Sequence, residues 1–195
     1  MSQLNPRDLR TPVTPLRRRS PRFPTPSRVL HWLMAVLILA MLFIGVGMVA
    51  SVSYRYNLLV SVHKPIGIAI LILVILRIIN RRINPPPPLP ADLPSIQKLA
   101  AHASHLLLYA LMLAQPLIGW GMLSAGNLPI VLFGGVQLPP ILPPNPVMFA
   151  QLRELHTVFA YVLFATIVVH IAAALFHGLI RRDGVLESMA SWRAK

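Results

Sequence analysis

The chain has 195 residues, of which 55% are hydrophobic and only 12% charged, with a mean hydropathy of +0.66 and a formal net charge of +13. An average this apolar points to a one-domain membrane protein rather than a soluble one, with its basic residues gathered in flanks and loops. There is no cysteine, which excludes disulfides, thiolate-bound metals, iron–sulfur clusters and covalent Cys-x-x-Cys-His haem attachment, and leaves seven histidines as the obvious metal ligands.

Residues 1–28 are basic and proline-rich and contain Arg17-Arg18-Arg19. They read as a cytoplasmic tail. An arginine run can bind nucleic acid, but beside a membrane helix it is a topology signal, so no nucleic-acid partner is expected. Four apolar segments follow at about 29–50, 58–79, 99–123 and 155–180. Each is long enough to cross the roughly 30 Å hydrocarbon core as a helix. The first is too long for a signal-peptide core of about 7–15 residues. The fold expected is an all-α integral membrane protein: a four-transmembrane-helix bundle over 29–182, with a second tail at 183–195.

Prolines cluster in 12–26, 85–94 and 139–146, where they exclude regular helix. The connection 124–154 is long. Gly126-Asn127-Leu128-Pro129 and Gly134-Gly135 mark turns, yet 128–138 is largely apolar. Two forms suit it: a short re-entrant or interfacial element, or an apolar loop packed on the outer helix ends.

Fifteen of the 18 basic residues fall in the N-terminal tail, around the 80–98 connection or in the C-terminal tail; only Arg55, Lys64 and Arg153 lie on the other side. Basic loops stay in the cytoplasm. Both termini are therefore expected to be cytoplasmic, with 51–57 and 124–154 outside and the lipid bilayer as the surrounding partner.

The histidines then define a constellation. His156 and His170 are fourteen residues apart. At 100° per residue this is about 40° short of four turns, so both face one way. At 1.5 Å per residue they stand about 21 Å apart along the axis. One metal cannot bridge them, but two haems stacked across the membrane can. Depth selects the second ligands. His31 opens the first helix on the cytoplasmic side and pairs with His170 at an inner haem iron. His63, early in the second helix, pairs with His156 at an outer haem iron. An intramembrane ionisable residue is costly unless it faces the bundle interior with a partner, and an iron is such a partner. The bland alternative is hydrogen bonding between helices.

At these residues the sequence resembles the bacterial cytochrome b561 family, related to the four-helix cytochrome b subunits of hydrogenases and formate dehydrogenases. The resemblance covers about 27–182. Its motifs are Leu30-His31-Trp32; His63 with Gly67 and Arg77; His102-x-x-His105 with Tyr109; Gly126-Asn127; and His156, His170 and His177. It implies two non-covalent b haems held by His31, His63, His156 and His170. Members are described as superoxide:quinone oxidoreductases. The first 26 residues fall outside the pattern.

Further positions are candidates. Arg77, fourteen residues after His63, is placed to meet an inner haem propionate, or to snorkel at the helix end. His102 and His105 share a helix face. They and His177, one stripe below His170, are candidates for quinone or propionate contact, or are polar boundary residues. Lys64 and Arg153, with Arg55, could attract an anion at the outer end, or be ordinary solvated charges.

With two histidines on each iron, electrons must move by outer-sphere transfer. The expected function is a bacterial inner-membrane oxidoreductase. It would carry electrons between an external small donor, with superoxide a candidate, and membrane quinone as substrate. The alternative is a membrane-anchor subunit relaying electrons between a partner dehydrogenase or hydrogenase and quinone, with that redox protein as its partner.

Overall fold

In a computed structural model, residues 22–51 and 54–191 are described. Four long helices dominate: α1 (Thr25–Ala50), α2 (Tyr54–Ile83), α3 (Ser95–Ala125) and α4 (Pro146–Leu175). Each is long and apolar enough to cross a membrane. They match the expected four-helix bundle, but every one begins earlier than its apolar run. The difference is largest at α4, which starts nine residues before 155. Asn145 caps it, its side chain accepting from the Met148 amide at 3.0 Å, and Pro146 takes the first turn, where a missing N–H costs nothing. Arg153, expected in the outer loop, therefore lies on a helix.

The rest of that loop is a small antiparallel hairpin of β1 (Ile130–Val131) and β2 (Gln137–Leu138), turned through Gly134 and Gly135 at φ 79° and 81°. Only glycine takes two such dihedrals cheaply. Ile130 is buried, and Lys64 on α2 donates to the Pro129 carbonyl at 3.1 Å. Both expected forms are in part present: the segment is a short structured element, and Ile130 and Lys64 tie it to the helix ends.

The helices do not pack evenly. α1 lies along α2, α2 along α3 and α3 along α4, so α4 packs mainly on α3. The buried apolar cluster sits at mid-depth. Met34 and Ile38 come from α1; Ile70, Leu71 and Val74 from α2; Leu108 and Leu111 from α3; and Leu163 from α4. Outward positions are apolar and exposed, Phe43 at 77% and Val49 at 88%, as a lipid-facing surface requires.

At the end of the bundle opposite the hairpin, α4 runs into a π turn (Phe176–Arg181). A left-handed Arg182 and Gly184 then reverse the chain into short α5 (Val185–Ala190). Gly178 permits the reversal, because a β-carbon there would fall 2.4 Å from the Leu186 side chain. α5 closes over the start of α1. The Phe23 amide donates to the Ser188 carbonyl at 3.2 Å, Trp32 Nε1 to the Met189 carbonyl at 3.2 Å, and the Arg28 guanidinium to the Ser191 carbonyl. Asp183 fastens this end. It pairs with His177 Nδ1 at 2.7 Å and accepts from Arg181 Nε at 3.0 Å, while Arg181 also reaches Asp92 before α3 at 2.7 Å.

Burial pushes the Asp183 carboxyl up, but His177, the Val185 amide and Arg181 outweigh it and hold the carboxyl below its ordinary 3.8. A depressed carboxylate contributes stability above its ordinary value and loses it as pH falls through the folded one. Resistance of the C-terminal segment to proteolysis in detergent micelles should therefore hold above pH 3.8 and fall below it. Asp183→Asn should remove that acid step and leave the segment labile throughout; an acid step unchanged in the variant would place its origin elsewhere.

Candidate functional site

The structure brings the four histidines together in two pairs. His31 of α1 and His170 of α4 have ring centroids 6.3 Å apart, and His63 of α2 and His156 of α4 are 6.2 Å apart. Both rings of α4 lie within its regular α-helical part, so the fourteen-residue interval keeps its length of about 21 Å. Leu163 lies midway, seven residues from each, and belongs to the buried cluster that separates the pairs.

The spacing has a chemical meaning. An imidazole nitrogen binds a metal at about 2.0–2.1 Å and lies about 1.2 Å from its ring centre, so two rings on opposite sides of one iron have centroids about 6.4 Å apart. Both pairs fit that value. Hydrogen-bonded imidazoles would sit closer. Nδ1 of His63 and Nδ1 of His156 are buried without a hydrogen-bond partner, the condition that a missing ligand or ion explains. With α4 packed mainly on α3, the His170 and His156 rings face those of His31 and His63 across the bundle, where a cofactor held between helices would lie.

Arg77 joins the His31 pair. Its Nη2 lies 3.1 Å from His31 Nδ1, its Nε donates to the Tyr109 hydroxyl at 3.1 Å, and its Nη1 is buried and unpartnered. Arg81, one turn on, stands over the Tyr109 ring at 5.7 Å. Beside them a cavity of about 20 Å³ is walled by Ser27, Asn80, Asn84, Arg81 and Tyr109. Asn84 donates to Asn80 at 3.0 Å and Asn80 to Ser27 at 2.7 Å. These wall groups beside the two arginines are all neutral.

The remaining sequence candidates separate. His105 joins the His31 end, its ring 5.5 Å from that of His170. His102 does not; it is exposed and its Nδ1 lies 2.6 Å from the carbonyl of Lys98 in its own helix. His177 is held by Asp183. Lys64 holds the hairpin, and Arg153 is exposed; neither has a carboxylate partner among the described residues.

Two α3 residues at the other pair went unread in the sequence. Gln115 donates to the His156 backbone carbonyl at 3.1 Å, and Gly119 faces the ring, where a β-carbon would stand 3.3 Å from His156 Cε1. A glutamine inside an apolar helix is itself a signal of a buried polar contact.

A family model described as prokaryotic cytochrome b561 matches residues 22–192. The chain belongs to this family. Among its relatives is "Cytochrome b561 homolog 2" of Escherichia coli (strain K12), 33% identical over 86% of this chain and 90% of the relative. "Cytochrome b561 homolog 1" of the same organism is 29% identical over 86% and 96%. "Probable superoxide oxidase CybB" of Yersinia pestis is 32% identical over 82% and 90%. Family membership, with four apolar helices, makes this a bacterial membrane cytochrome that binds b-type haem and transfers electrons.

Because Gly119 leaves the only small side of the His156 ring on α3, Gly119→Val should push that ring aside. The reduced-minus-oxidised haem spectrum of the purified variant should lose one component, with the other intact. A full spectrum would show that the ring has room to spare.

Proposed function

We propose that this cytochrome holds two haems, an inner one on His31 and His170 and an outer one on His63 and His156. It passes electrons between a small external donor, superoxide in class, and membrane quinone. The observation that carries this is the match of both centroid separations, 6.3 and 6.2 Å, to the value of about 6.4 Å for two rings across one iron. When bound, each haem supplies a one-electron ferric–ferrous couple. With two histidines holding each iron, exchange with donor and acceptor would be outer-sphere.

The chain does the positioning. α4 sets two depths on one face, while α1 and α2 bring the opposing rings. Arg77 offers its unused Nη1 to a propionate of the inner haem; a guanidinium is the natural carboxylate partner. His105 and His177 line the inner end as quinone or propionate contacts, with His102 at the boundary. In the orientation that the basic residues favour, both chain ends face the cytoplasm and the protein lies in the inner membrane.

The external donor follows from two supports: the Yersinia pestis relative carries a superoxide oxidase name, and Lys64 and Arg153 offer uncompensated positive charge at the outer end. Superoxide is an anion, and such a field raises its encounter rate.

A pyridine haemochrome assay should return two haems per chain. His156→Ala should remove mainly the outer haem and His31→Ala mainly the inner. One haem per chain, or two retained in both variants, overturns the pairing. Stopped-flow haem reduction by superoxide should slow several-fold in Lys64→Gln/Arg153→Gln and lose most of its salt dependence. An unaltered, salt-independent rate removes the electrostatic funnel.

A further inference from the structure

We infer that Arg77, supported by Arg81, makes the inner haem the easier of the two to reduce, and so gives the molecule a built-in direction of electron flow. This rests on the two-haem reading above. The two haems are of one type and carry the same propionates, so the protein charges around each decide which has the higher potential.

Those charges differ between the ends. At the inner end the Arg77 guanidinium lies against His31 and is anchored through Nε to Tyr109. Wherever its other nitrogens turn, that anchor keeps the charge beside the ring. Arg81 stacks on the same tyrosine. Neither arginine has a carboxylate partner among the described residues; Asp92 and Asp183 are taken by Arg181 and His177, and Arg28 is turned to the Ser191 carbonyl and Thr25. Ser27, Asn80, Asn84 and Tyr109 around them are neutral.

At the outer end Gln115, also neutral, is what meets the histidine backbone. The charged side chains there are Arg55, Lys64, Arg153 and Glu154. Arg55, Arg153 and Glu154 are exposed, and Lys64, half-buried, is turned to the Pro129 carbonyl of the hairpin. Solvent and salt screen the exposed three, so the outer end keeps one half-buried cation where the inner end keeps both Arg77 and Arg81. Ferric haem carries one more positive charge than ferrous haem. A fixed cation nearby therefore favours the ferrous form, and more so at the inner end. Arg77 touches no reacting atom in this role; it acts on the iron through its charge. With both haems bound, Arg77 and Arg81 would bias the sharing of an electron toward the inner site.

Potentiometric titration of the purified holoprotein tests this, with haem counted in every sample. Two midpoints are expected, the upper one belonging to the inner haem, as identified in a His63→Ala/His156→Ala protein that keeps only that haem. In samples of Arg77→Gln that keep two haems, the upper midpoint should fall selectively, shifting electron sharing between the haems by about tenfold or more, ~59 mV for a one-electron couple. Arg77→Lys should restore most of the difference. Arg81→Gln is the second variant: a smaller shift of the same sign, readable even where Arg77→Gln loses haem. Two haems with an unmoved upper midpoint, an equal shift of both midpoints, or an upper midpoint on the outer haem overturns the inference alone. One haem per chain in the unaltered protein overturns the two-haem reading and this inference with it.

Discussion

An imidazole inside hydrocarbon has to be given a partner, and the rest of this molecule is arranged around meeting that demand twice. The ruler is α4. From Pro146 to Leu175 it runs as uninterrupted α-helix, and His156 and His170 fall on one face because fourteen residues nearly complete four turns. A single inserted residue between them would swing one ring by about 100°. The opposing histidines need less precision. His31 is early in α1 and His63 early in α2, and successive helices of a bundle alternate in direction. Two early positions therefore reach opposite ends without either helix carrying more than one of the four.

Helices in lipid gain little from burying apolar surface against each other, so close packing and polar contacts hold the bundle together. Here the buried apolar cluster is confined to mid-depth, between the histidine pairs, and α3 supplies the support at both levels. It carries none of the four paired histidines, yet Gly119 and Gln115 meet His156, while Tyr109 anchors Arg77 and His105 lies against His170. A helix of this kind fixes the orientation of rings that other helices donate. It is also the helix on which α4 mainly packs.

The number of helices and their order were legible because they depend on one-dimensional quantities, apolar length and spacing. Helix ends were less so. The apolar run of α4 begins at 155, but its true start is fixed by Asn145 and Pro146, a capping signal that hid inside a proline-rich stretch read as loop. Rotation of one helix against another was not legible at all. His102 and His105 are three residues apart on the same helix, yet only His105 reaches the bundle interior, because the bundle's edge falls between them. The latch of His177, Asp183, Arg181 and Asp92 was equally invisible. It depends on a π turn and a left-handed Arg182 that bring Asp92, inside the α2–α3 connection, together with residues at the end of α4.

The same basic residues serve two physical purposes. Arg77 and Arg81 are among the charges by which the positive-inside rule would assign the 80–98 side to the cytoplasm. They are also the charges nearest the His31–His170 pair. A chain that obeys the positive-inside rule with arginines in the last turns of a haem-binding helix thereby raises the electron affinity of the site at that end. Insertion and redox bias are not separate adaptations in such a bundle. Moving these arginines outward into the 85–94 loop would preserve the topology signal while weakening the field at the inner pair, because a solvated charge is screened within about 10 Å at 0.1 M salt. Two contacts hold Arg77 inward, the Tyr109 hydroxyl on α3 and His31 Nδ1 on α1, and they keep a guanidinium where its charge is felt.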